Sequence, residues 1–206
     1  MTDKPANSAR LRQIRLLLWA LVALALLGAA ALLLPRRANQ PDQGTSATTS
    51  KFGGPFTLTG GDGKPFSSSQ LQGKPYAIYF GFTRCGDVCP TTLSRLVKLR
   101  QQAGGPDRLN ILFVTIDPAH DGPKEVGQYA GLFNSPIIGL TGTQAQIDAV
   151  KKRYGIFAEP MPDATPGHEM EHTATVLLFD RSGKLAGTIT PDESDASALQ
   201  TFKALT

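Results

Sequence analysis

The sequence predicts an α/β domain: a mostly parallel sheet with helices on both faces and an antiparallel ribbon at one side. Three observations carry this. From Tyr76 onward, short apolar runs alternate with segments of helical spacing. Near the C-terminus two apolar runs flank Asp180-Arg181-Ser182-Gly183, a hairpin signal. The chain has 2 cysteines, and both fall where the first long apolar run gives way to a helical one.

The elements follow in order. Phe56 to Leu58, a Gly60-Gly61-Asp62-Gly63 turn and Pro65-Phe66 suggest a short hairpin. Tyr76 to Phe82 reads as a buried strand. Thr91 to Gln102 reads as a helix, with Leu93, Leu96, Val97 and Leu99 at helical spacing and Gly104-Gly105 ending it. Asn110 to Ile116 is a second buried strand. Asp121 can cap a helix with Pro123 in its first turn, running toward Phe133.

Ile137 to Leu140 is a short strand. Thr143 and Gln146 have the spacing of a capping box, and the helix they open should end near Tyr154, with Gly155 beyond. Thr173 to Phe179 and Leu185 to Ile189 form the C-terminal hairpin, and Asp195 to Leu205 a last helix. This order, with a dithiol at the carboxyl end of a parallel strand, predicts a thioredoxin-like fold. Sites in open α/β sheets form at that end.

The first fifty residues differ in character. Leu16 to Leu34 is uncharged and rich in Leu and Ala. As a helix it would span roughly 28 Å, close to the hydrocarbon thickness of a bilayer. Lys4, Arg10, Arg12 and Arg15 precede it, while Arg36 and Arg37 follow. That bias keeps 1–15 inside and exports the rest. A cleaved signal peptide would have a shorter apolar region and a small-residue cleavage site. We therefore expect a transmembrane anchor over 16–34, a flexible tether over 35–50 and a folded domain over 51–206. The location expected is the bacterial cytoplasmic membrane, with the domain facing the periplasm or the exterior.

The net charge of +4 belongs to the anchor and its flanks, since 51–206 holds 15 basic and 15 acidic residues. No basic face with interleaved aromatics is present, which argues against nucleic acid as a partner.

The cysteine corner reads Cys85-Gly86-Asp87-Val88-Cys89-Pro90. A staple closing so short a loop constrains the unfolded chain little. Chemistry or a metal is the better reading in an oxidising compartment. Pro90 at the first helical position would put Cys89 beside the helix cap, where free N–H groups favour a thiolate. A structural zinc site would need four protein ligands, and no second cysteine pair exists. The chain has 3 histidines: His120, His168 and His172. His172 directly precedes an apolar strand, and the loop entering it can return to the cysteine corner. Two thiolates and one imidazole form a soft set suited to Cu(I) and able to hold Cu(II). Zinc with a water as fourth ligand would use the same groups. His120 and His168 read as solvated loop residues.

With these residues placed, the chain resembles the Sco/SenC family of copper-binding proteins. The resemblance rests on Tyr79-Phe80-Gly81-Phe82-Thr83 leading into Cys85, then on Asp87-Val88-Cys89-Pro90. Phe113 to Pro118, Gly139 to Thr143, His172-Thr173 and Phe179-Asp180 follow in the family's order. It implies Cys85, Cys89 and His172 as copper ligands. It also implies a role in assembling the binuclear copper site of cytochrome c oxidase subunit II, directly or with a partner chaperone. Such a protein is a metallochaperone more than an enzyme. The competing function is a thiol–disulfide oxidoreductase acting through Cys85 and Cys89 on that site or on another exported partner.

Two positions depart from the family pattern. Gly86 stands where the family usually has proline, and Arg84 where it commonly has histidine. Arg84 would either favour the neighbouring thiolate or point to water. Asp87, inside the loop, reads as a docking or tuning residue or as a solvated carboxylate.

Overall fold

The computed structural model describes residues 15–24 and 52–205. The chain divides into two compact units, Met1–Thr49 and Ser50–Thr206. In the first unit a helix covers 15–24. The rest of the anchor expected over 16–34, and the tether over 35–50, lie outside the described residues. Among the described residues, no helix is long and apolar enough to cross a membrane.

The second unit is built on a seven-stranded sheet. Its strands are β1 (Thr57–Gly60), β2 (Pro65–Ser67), β3 (Tyr76–Gly81), β4 (Asn110–Thr115), β5 (Ile138–Thr141), β8 (Val176–Phe179) and β9 (Leu185–Ile189). The order across the sheet is β2-β1-β5-β4-β3-β8-β9. β3, β4 and β5 run parallel, and the outer pairs are antiparallel. All of β3 and β8 is buried, which is why these stretches are continuously apolar instead of alternating.

Four helices cover the sheet: α1 (Val88–Gln102), α2 (Pro123–Gly131), α3 (Gln144–Arg153) and α4 (Asp195–Leu205). Alternation along β3 sends Tyr79 and Phe80 to opposite faces. On one face Tyr79 meets Cys89 of α1, and Phe113 of β4 packs on Tyr129 of α2, with ring centroids 5.0 Å apart. α4 packs against α1, tied by Arg95 Nε donating to Asp195 Oδ1 at 2.7 Å. On the other face Phe80 packs on Tyr154 at the end of α3, with centroids 5.9 Å apart. The thioredoxin-like arrangement expected from the sequence is therefore present, with helices on both faces.

Three local differences from expectation have physical causes. α1 begins at Val88, not Thr91, because the N–H that Pro90 lacks has no intrahelical partner in a first turn anyway. α2 is capped by Gly122, not Asp121, whose carboxylate is buried and held by Thr83 and Thr115. A separate ribbon, β6 (Ala158–Thr165) paired antiparallel with β7 (His168–His172), was not expected at all. Its β6 strand is exposed after Ala158 and carries Pro160 and Pro162, so no apolar alternation marks it. The only sequence sign is Pro166-Gly167 at its turn.

Candidate metal centre

The centre is built at the carboxyl end of β3. The chain leaves the strand through residues 82–87 and enters α1. The Cys85 N–H donates to the Phe82 carbonyl at 3.2 Å, closing the turn. Cys89 lies in the first turn of α1 and is fully buried, while Cys85 is nearly so. Both are free thiols. Gly81 makes room for them: a Cβ there would lie 2.6 Å from Cys89 Sγ. The Tyr79 hydroxyl, from the same face of β3, donates to Cys89 Sγ at 3.5 Å. An isolated glycine within an apolar strand marks such a close approach.

His172 arrives from the other direction. It ends β7, opposite Ala158 of β6. The next residue pins the strand end: Thr173 N–H donates to the Phe157 carbonyl at 3.0 Å, and Phe157 N–H to Thr173 Oγ1 at 3.1 Å. His172 Nδ1 lies 3.1 Å from the Thr173 carbonyl. A carbonyl only accepts, so Nδ1 is assigned the proton and Nε2 keeps its lone pair. That Nε2 lies 3.7 Å from Cys89 Sγ. The rings of Tyr79 and Phe82 meet the imidazole edge-on, with centroids 6.3 and 6.0 Å away.

The two sulfurs and the imidazole nitrogen all lie within 4.8 Å of one another. Two sulfurs at roughly 2.3 Å from one ion stand up to about 4.6 Å apart, so shifts of a few tenths of an ångström would close the cluster on a single soft cation. The folded chain thus brings together the three residues singled out in the sequence.

The electrostatics divide the dithiol. The Cys85 thiol is lowered to about 3. Its sulfur accepts from the Cys89 thiol first and then from backbone N–H groups of Asp87 and Cys89, against a burial cost. The backbone bond from Cys89 N is 3.4 Å long. Cys89 is pushed up, because donating to Cys85 and burial both hold its proton. The first-turn N–H therefore serves Cys85, whereas the sequence suggested a thiolate at Cys89. Arg84 contributes elsewhere. It pairs with Asp117 at 2.7 Å and with Glu169 of β7 at 3.6 Å, bridging the cysteine loop to the ribbon.

Among the described side chains, His120 and Asp87 fall outside the cluster. Exposed His120 bonds through Nδ1 to Asp117 at 2.9 Å. His168 begins β7. Asp87 is exposed and caps α1 without a side-chain bond. Sequence reasoning missed Tyr79, Gly81 and Asp121. Gly81 between Phe80 and Phe82 was a readable signal; the other two were not.

The SCO1/SenC family model matches residues 44–206. The mitochondrial protein SCO2 of Saccharomyces cerevisiae is 35% identical over 156 residues, covering 74% of this chain. That match spans only about half of the yeast protein, 52%. The structure of Bradyrhizobium japonicum ScoI with copper bound is similar with a TM-score of 0.67 and 33% identity, covering 75% of this chain and 99% of that one. Yeast Sco1 with copper bound is similar with a TM-score of 0.63 and 30% identity, over 72% of this chain and 84% of that one. With the family model matched over most of its length, this chain belongs to the SCO1/SenC family.

Proposed function

We propose that this protein is a copper chaperone. It binds copper through Cys85, Cys89 and His172 and delivers it to the binuclear copper site of cytochrome c oxidase subunit II, directly or through a partner chaperone. One observation carries the reading: two thiols and an imidazole whose Nε2 is free converge within 4.8 Å at the end of a parallel strand. This is a soft, low-coordinate set. Two solved relatives hold copper. A set of three leaves room for an incoming thiolate, so release can proceed by stepwise ligand exchange.

The domain is tethered by a membrane anchor over 16–34, facing the periplasm or exterior of a bacterial cytoplasmic membrane. Leu16, Trp19 and Leu24 of the helix over 15–24 are each about 70% exposed, at 69, 72 and 73%. A tether of this kind raises the effective concentration of the domain at a membrane-embedded acceptor.

Substituting His172→Ala tests the ligand set. The variant should lose tight Cu(I) binding in competition with a chelator while still exchanging disulfides. Binding at the parent's affinity would refute the assignment.

A second reading, a thiol–disulfide oxidoreductase, is favoured by the depressed thiol of Cys85. Its thiolate would attack a partner disulfide, and Cys89 would then resolve the mixed disulfide, leaving the partner reduced and this dithiol oxidised. Turnover of an oxidised peptide from the oxidase copper site, with Cys85→Ser as the inactive control, separates the two readings.

A further inference from the structure

Asp121 is fully buried and belongs to no ion pair among the described residues. Burying a carboxylate without a cation is costly unless hydrogen bonds replace its water. Here they do. Thr83 donates twice, from N–H to Oδ2 at 2.9 Å and from Oγ1 to Oδ1 at 2.6 Å. Thr115 Oγ1 donates to Oδ2 at 2.6 Å. The backbone carbonyl of Asp121 accepts from Thr141 Oγ1 at 2.6 Å.

These partners share a location. Thr83 follows β3, Thr115 ends β4 and Thr141 ends β5, the three neighbouring parallel strands. One residue therefore ties together the carboxyl ends of all three, at the edge where the dithiol sits. Thr83 is also two residues before Cys85. The other anchors of the loop from Phe82 to Asp87 are the Cys85 N–H to Phe82, the Gly86 N–H to the Gly167 carbonyl at 3.0 Å, and the exposed Arg84, paired with Asp117 at 2.7 Å and Glu169 at 3.6 Å.

We propose that Asp121 is a positioning residue for the metal centre. It fixes Thr83, and through Thr83 the placement of the Cys85 sulfur relative to Cys89 and His172. It touches neither sulfur and binds no ion itself. This inference rests on the copper reading for one of its readouts and is independent of it for the other. A group that orients a ligand from behind is worth about 10- to 100-fold in metal affinity.

The test contrasts two arms of the same hub. Thr83→Val removes the hydroxyl that faces the cysteine loop. Thr141→Val removes the hydroxyl that faces β5. Each deletes one hydrogen bond of 2.6 Å, part-buried at Thr83 and buried at Thr141, so both should lower the unfolding midpoint, Thr141→Val at least as much as Thr83→Val. Thr83→Val should weaken Cu(I) binding about 10-fold or more and change the reduction potential of the Cys85–Cys89 pair. Thr141→Val should match the parent in both, and Thr83→Ser should restore both. If Thr83→Val keeps the parent's affinity and potential, or if Thr141→Val loses as much, Asp121 is only structural. Should the parent fail to bind copper, the copper reading falls, and the dithiol potential alone decides the role of Asp121.

Discussion

His172 Nε2 faces Cys89 Sγ across 3.7 Å, while the same ring is held from behind by the Thr173 carbonyl. The imidazole comes from a ribbon outside the main sheet, and the sulfur from the first turn of a helix packed on that sheet. A ligand set divided in this way is preorganised by folding and not by any local motif. Its acid–base state, its space and its closure can each be tested separately.

The acid–base state predicts how many protons copper displaces. Cys85 is lowered to about 3 and Cys89 is raised, so the reduced centre holds one thiolate and one thiol near neutrality. Two ordinary thiols would release about two protons on binding Cu(I), since only the thiolate is a ligand. Here binding should release about one, from Cys89. The sign for stability follows from the same pair. The depressed Cys85 contributes stability that is complete above the unfolded thiol value of about 8.5 and declines as pH falls toward 3. Cys89 acts in reverse, contributing below about 8.5 and losing that contribution above it. The reduced protein should therefore be most resistant to denaturant near the unfolded thiol value, through this pair. Proton release in weak buffer at about pH 7.5, with thiolate ultraviolet absorbance followed alongside, measures the state. A release of two would show that Cys85 is an ordinary thiol.

The space predicts a sensitivity at Gly81. An alanine Cβ there would meet Cys89 Sγ at 2.6 Å and Phe113 Cε2 at 3.1 Å. Both neighbours are fully buried, so neither can move freely. Gly81→Ala should cost about 1–3 kcal/mol by overpacking. It should also push the sulfur from its place opposite His172 and weaken Cu(I) binding by about tenfold or more, by analogy with misplaced ligands. Denaturant unfolding and chelator competition on the same sample give both quantities. Parent-like affinity would mean that the sulfur has slack.

Much of this was legible in the sequence, and the exceptions share a cause. β3, β4, α4 and the capping box of α3 could be read because burial on a sheet or a helix turn imposes a period or a cap on adjacent residues. The ligands Cys85 and Cys89 could be read because their spacing is local. His172 was reached through family resemblance, because its position depends on an exposed, proline-bearing ribbon whose residues obey no apolar alternation. Asp121 looked like a helix cap, being one residue before the true cap, Gly122. Its partners Thr83, Thr115 and Thr141 come together only when three parallel strands align, and no local pattern encodes that.

The closure of the ribbon onto the cysteine loop predicts the effect of placing proline at position 86. Gly86 N–H donates to the Gly167 carbonyl at 3.0 Å, at the tip of the β6–β7 turn. Gly167 has φ +89°, and a Cβ there would lie 3.1 Å from Gly86 N, so glycine at 167 is suited to this backbone contact. Proline at 86 has no N–H to donate. Gly86→Pro should remove the clasp at a net cost of about 0.5–1.5 kcal/mol, since Gly86 is exposed and water can replace the bond. His172 sits at the far end of the same ribbon, so the loss should appear there as faster amide exchange over 158–172 and a two- to tenfold weaker Cu(I) affinity, roughly that energy in binding terms. Arg84 remains bridged to Glu169 at 3.6 Å, which limits how far the ribbon can open. Hydrogen exchange resolved by peptide measures the release. Unchanged protection in the ribbon, with unchanged affinity, would show that the Arg84 bridge and the Thr173 anchors hold His172 without the clasp.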